Sequence, residues 1–88
     1  MNSSPSLLEF PCDFPMKVIG IHTDTFVMDV IHITRKYFPH TKDESFQKKA
    51  SQQNHYLALT ITLFVSDQVT LDALYRELTL HPDIKMVL

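Results

Sequence analysis

One glycine and one cysteine in 88 residues set the first limits on this chain. Gly20 alone cannot build a glycine-rich loop. A GxSxG nucleophile turn and a P-loop are both absent. Cys12 alone can form no internal disulfide, which fits a reducing compartment. It precedes Asp13 and lies between Pro11 and Pro15, without the positive charge or helix N-terminus that activates a thiol, so it reads as a bystander. No apolar run approaches the roughly 18 residues of a membrane span. Residues 1–10 lack the basic start and apolar core of a signal peptide. A cytoplasmic protein is therefore expected. Excess positive charge is missing too: the formal net charge of −2 does not suit a dedicated nucleic-acid binder.

What is present is ordinary for one globular domain: 44% apolar and 20% charged residues. A domain of this size buries about 60–65% of its unfolded surface, so its stability margin is thin. The charge is uneven. Arg35, Lys36, Lys42, Lys48 and Lys49 face only Asp43 and Glu44 within one stretch, while the rest of the chain is acidic. That stretch reads as a solvated basic edge or as an anionic contact.

Periodicity gives the architecture. Residues 1–12 form a leader: a polar start, then the apolar group Leu7, Leu8, Phe10 and Pro11. Residues 13–88 form the domain. Phe14 to Ile21 alternates as a first strand, and its lone glycine marks a bulge, a bend or a close backbone approach. Thr23, Asp24 and Thr25 offer caps for a helix whose apolar stripe is Val27, Val30, Ile31, Thr34 and Phe38. Pro39 stops it. Phe46 to Ser51 reads as an edge strand guarded by Lys48 and Lys49. A turn at Gln52-Gln53-Asn54 follows, where Asn54 suits a left-handed conformation. Tyr56 to Val65 is the strongest strand, with Leu57, Leu59, Ile61, Leu63 and Val65 on one face. A second helix begins near Ser66 or Asp67, carries Leu71, Leu74, Tyr75 and Leu78, and ends before Pro82. Ile84 to Leu88 closes the chain as a strand, with Ile84 and Met86 inward.

The order β-α-β-β-α-β is that of a ferredoxin-like two-layer α+β sandwich. Its antiparallel sheet runs 4-1-3-2 with both helices on one face. The other face then shows Lys17, Ile19, Ile21, Tyr56, Thr60, Thr62, Phe64 and Val87. That is apolar for a solvated surface, and such patches mark interaction sites. Either a partner or a second copy covers it, or the Leu7–Pro11 segment folds over it.

Function is not legible at this level, because the fold hosts many activities. Five histidines are present, none paired at HxxxH or CxxC spacing. The topology brings His22 beside His55 with Asp24 close. This defines an alternative reading, a small metal-dependent enzyme or metal-binding protein. Acylphosphatase, an enzyme of this fold, holds phosphate after strand one with an arginine, but Gly20 to Thr25 contains none. RNA-recognition motifs stack bases on aromatics of strands one and three. Here strand one offers only Ile19 and Ile21, which leaves weak RNA contact as a third reading. No motif calls for a cofactor, and no residue is assigned a catalytic role.

Several short motifs resemble the YbeD family of small, uncharacterised bacterial cytoplasmic proteins, classed as a domain of unknown function. They are Leu7-Leu8-Glu9-Phe10-Pro11, Phe14, Lys17-Val18-x-Gly20, Ser51 and Tyr56 around the hairpin, and Thr60-Ile61-Thr62. Leu74-Tyr75-x-Glu77-Leu78, Asp83-Ile84 and Met86-Val87-Leu88 complete the match from Leu7 to Leu88. Gln53-Asn54 departs from the family's glycine-containing turn. The resemblance implies a fold similar to ACT domains, which are small-molecule-sensing regulatory modules, and a loose association with lipoate metabolism. It implies no activity and no catalytic residues. By analogy with ACT-like domains, Gly20, His22, Thr23 and Asp24 form the expected ligand-proximal loop, for a small-molecule effector. Ile19, Ile21, Tyr56 and Phe64 form the expected contact face, for a homodimer or a protein partner.

Overall fold

Alternation along Tyr56–Val65 organises the molecule, because every second side chain is aliphatic and fully inward. In the computed structural model, which describes residues 9–51, 53 and 55–88, Leu57, Leu59, Ile61, Leu63 and Val65 are all buried. The elements are β1 (Cys12–Ile21), α1 (Asp24–Tyr37), a single 3-10 turn (Asp43–Ser45), β2 (Phe46–Ala50), β3 (Tyr56–Val65), α2 (Gln68–Thr79) and β4 (Ile84–Val87). The antiparallel sheet has the order β2-β3-β1-β4. Met16 and Val18 of β1, Phe26 and Val30 of α1, Leu71, Leu74 and Leu78 of α2, and Val87 of β4 complete the core. This is the ferredoxin-like two-layer sandwich expected from the element order.

The ends of the elements follow local chemistry. Thr23 caps α1 by accepting the Phe26 N–H at 3.1 Å, and Asp67 caps α2 by accepting that of Thr70 at 2.7 Å. Pro39 ends α1, whose last bond runs from the Phe38 N–H to the Thr34 carbonyl. β2 stops at Ala50, one residue short of the expected end. There the Ser51 Oγ accepts the N–H groups of His55 and Tyr56, both at 3.2 Å, and closes the turn. Gln52 and Asn54 lie outside the described residues.

Four expectations need correction. β1 begins at Cys12 rather than Phe14, because Cys12 and Asp13 still pair with Val65 and Phe64. Pro15 is tolerated within it. The odd residues of β1 turn their backbone groups toward β4, as the Lys17–Leu88 bonds show, and β4 does not reach Pro15. The stripe of α1 is centred on Phe26, Val30 and Thr34; Val27 and Phe38 are flanking, and Ile31 is half-exposed. Phe26, which stands outside the expected stripe, is fully buried with its ring against Gly20. Tyr75 sits at the edge of α2, exposed, beside the buried leucines.

The fourth correction concerns β4. Ile19 pairs with Met86 but Gly20 pairs with Ile84, so Lys85 is an extra residue on a bulge. The bulge puts Ile84 and Val87 on the helix side. Val87 is buried and Met86 faces outward, the reverse of what strict alternation predicts.

Phe10 packs against the buried cluster and Pro11 is exposed. Leu7 and Leu8, the rest of the expected apolar group, lie outside the described residues. No helix among the described residues is long and apolar enough to cross a membrane.

Candidate functional site

The expected ligand-proximal loop is closely packed where Gly20 lies. A Cβ built on Gly20 falls 2.5 Å from the Asp83 carbonyl oxygen and closer still to the Phe26 ring. Gly20 thus lets the β4 approach and the α1 ring meet over its bare Cα. The Asp83 oxygen also accepts the Ile21 N–H at 3.0 Å. His22, Thr23 and Asp24 follow in sequence and are exposed. The Thr23 hydroxyl is engaged as the cap of α1. His22 donates its backbone N–H to the His55 carbonyl at 3.2 Å, so the two strand ends do meet. Among the described residues, however, no three His, Cys, Asp or Glu side chains gather as a metal site.

The open sheet face is divided by its register. Ile19 lies opposite Ala58 on one side and Met86 on the other, and Ile21 lies opposite Tyr56. These residues form one apolar group, in which Tyr56 is 46% and Met86 50% exposed. A shallow hollow of about 210 Å³ lies within it, lined by Ile19, Lys49, Ala50, Ser51, Tyr56 and Ala58. The next row is Gln47, Thr60, Lys17 and Leu88, which is mostly polar. Phe64 stands beyond that row, opposite Asp13. Eight residues at about 3.3 Å each place it roughly 26 Å from Tyr56 along the strand. Ile19, Ile21 and Tyr56 are therefore brought together, and Phe64 is not. Val87, expected on this face, is on the other; Met86 takes its place.

Phe64, 64% exposed, belongs instead to a cleft of about 630 Å³ at the other end of β3. β2 pairs only with residues 57–61, so the last four residues of β3 have β1 on one side and no strand on the β2 side among the described residues. The connection from Phe38 to Ser45 stands opposite, and Phe38, Lys42, Ser45, Thr62, Phe64 and Thr70 are among the lining residues. No motif marked this cleft. The only signal was the inequality of a five-residue edge strand and a ten-residue neighbour.

Many charged side chains are committed to structure. Arg35 donates to Asp43 at 2.7 Å and to the Thr41 carbonyl at 3.0 Å, and lies over the Phe46 ring. Glu77 of α2 accepts from Lys36 at 2.6 Å and from the Tyr37 hydroxyl at 2.5 Å, clasping α2 to α1. These bonds hold the Glu77 carboxyl below its ordinary range and raise both Lys36 and Tyr37. His81 accepts the Asp83 N–H on Nδ1 at 3.1 Å and meets Asp29 through Nε2 at 2.9 Å. The proton of this imidazole therefore sits on Nε2, and both nitrogens are occupied in a clasp. Lys48 and Lys49, adjacent in sequence, project to opposite faces, since Lys48 pairs with Leu59 and Lys49 with Ala58. Lys17 and Lys49, both on the open face, have no ion-pair partner among the described residues.

Fold and surface define a small ferredoxin-like α+β domain with an apolar sheet face and no assigned chemistry. The family profile described as "Protein of unknown function (DUF493)" matches residues 5–88, and this chain belongs to that family. A UPF0250 protein of Leptothrix cholodnii is 41% identical over 83 residues, spanning 94% of this chain and 91% of that protein. Another, from Nitrosomonas europaea, is 37% identical over 94% of this chain and 95% of its own length. The solution structure of HP0495 from Helicobacter pylori superposes with a TM-score of 0.74, covering 99% of this chain and 91% of that one at 14% identity. That likeness concerns the fold. The family assignment agrees with the YbeD resemblance, and its description carries no enzymatic activity. No feature of the site bears on lipoate metabolism.

Proposed function

We propose that this protein is a non-enzymatic binding module of regulatory, ACT-like type that holds another protein on the open face of its sheet. One observation carries the reading. Ile19, Ile21, Tyr56, Ala58 and Met86 share one end of that face and have no helix or strand over them among the described residues. Apolar groups of this kind mark contact surfaces. The clasps at Glu77 and His81 tie their side chains to the fold rather than to a substrate.

The test is a photo-reactive side chain placed at position 56, with a control at Val69 on the exposed side of α2. A discrete cross-linked product from position 56, absent from position 69 and lost when Ile19 and Met86 are both changed to Ser, supports the reading. Equal products at both positions, or none at position 56, overturn it.

The cleft beside Phe64 favours a second reading, a small-molecule effector, because its volume of about 630 Å³ lies in the range of ligand pockets. Thermal-shift measurements with amino acids, nucleotides and small organic acids test it. A rise in Tm that Phe64→Ser abolishes supports it, and no rise with any of them refutes it.

A further inference from the structure

The charge around the apolar group says what kind of partner fits. We infer that the open face recognises an apolar segment flanked by carboxylates on another protein, in a transient complex; this rests on the contact-face reading above. Across the sheet, Lys49, Ala58, Ile19 and Met86 lie in one row, and Lys17 stands in the next. Both lysines are exposed and lack an ion-pair partner among the described residues. Among the strand residues of this face the acidic side chain is Asp13, four residues from Lys17 along β1, or about 13 Å. The chain carries a net charge of −2, yet this end of this face is cationic.

The same arrangement disfavours a second copy. Two such patches packed about a two-fold axis gather four lysines around one apolar centre, with no acidic side chain among the patch residues to answer them. The area is also small. Four strands about 4.8 Å apart and some five residues of about 3.3 Å give roughly 300 Å². A stable interface takes about 800 Å² from each partner. Nor does RNA fit well. Two lysines answer few phosphates, and Tyr56 and Phe64 are too far apart to stack neighbouring bases.

Defined probes decide this by amide NMR shifts of the full chain. The probes are a short peptide with a Leu-Phe-Leu centre and glutamate flanks, the same centre with glutamine or lysine flanks, and an oligouridylate. The expected result is that the glutamate peptide shifts Ile19, Ile21, Tyr56, Ala58 and Met86 and weakens with salt. Lys17→Glu with Lys49→Glu should weaken it about tenfold and transfer the preference to the lysine-flanked peptide. Equal binding of all three peptides overturns the carboxylate inference and leaves the contact face standing. Shifts of these residues on raising protein concentration alone indicate a second copy and overturn it as well. Tighter binding of the oligouridylate than of the glutamate peptide, or no shift with any probe at millimolar concentration, does the same.

Discussion

Replacing Gly20 by alanine adds one methyl group where β1, β4 and the Phe26 ring already meet. Its carbon would lie 2.5 Å from the Asp83 oxygen, where ordinary contact begins at 3.4 Å, so the carbonyl must retreat by about 0.9 Å (3.4 − 2.5). That carbonyl is not free to move. It accepts the Ile21 N–H, and the Asp83 N–H is fixed by His81, which Asp29 holds in turn. On the other side the Phe26 ring is fully buried and cannot swing into solvent. Overpacking of this kind costs about 1–3 kcal/mol, and a lost backbone hydrogen bond adds about 1 kcal/mol. The expected loss is thus about 2–4 kcal/mol, against roughly 4–13 kcal/mol for a domain of this length. Urea unfolding followed by circular dichroism reads it directly, and Tm should fall on the order of 10–25 °C. Gly20→Ala with Phe26→Leu should cost less than the sum of the two single changes, because the smaller side chain relieves the ring contact. If Gly20→Ala lies within about 0.5 kcal/mol of the parent, the close packing argued for this site is wrong.

Two other measurements bear on the helix layer. The Thr34 hydroxyl is fully buried with no hydrogen-bond partner among the described residues, so Thr34→Val should stabilise by about 1–2 kcal/mol in urea unfolding; a loss instead would mean that the hydroxyl is bonded. The Glu77 carboxyl is held below its ordinary 4.5, so the clasp contributes fully above that pH and fades as pH falls through the lowered value. Tyr37 and Lys36 are raised from 10.0 and 10.5, so their share is full below those values and is lost at higher pH. Unfolding midpoints measured across pH should decline at both ends, and Glu77→Gln should flatten both declines; unchanged slopes would show that the clasp is not coupled to folding.

Much of the fold was readable because β3 leaves little choice. Five aliphatic side chains alternate without a break from Leu57 to Val65, and that fixes which face is buried. The caps at Thr23 and Asp67 and the stop at Pro39 were equally local. What depended on contacts between distant segments was not readable. Nothing in Ile84-Lys85-Met86-Val87 announces a bulge, which arises where β4 meets β1 at Gly20. The place of Phe26 likewise depends on the missing Cβ of Gly20, six residues earlier. The contact face was legible as a set of apolar positions, but its division into a group at Ile19 and a separate Phe64 follows from register. The cleft beside Phe64 comes from unequal strand lengths, which no motif encodes.

Pro15 has a consequence for how the protein behaves in a crowded solution. β4 stops opposite Lys17, so the first residues of β1 have no strand beside them on that side among the described residues. A foreign strand adding there would need a donor from Pro15, which has none. The imino ring therefore acts as a guard against edge-to-edge aggregation at the margin that β4 leaves uncovered. The lysines of β2 guard the opposite margin by charge. Both margins of the sheet thus disfavour the addition of a foreign strand.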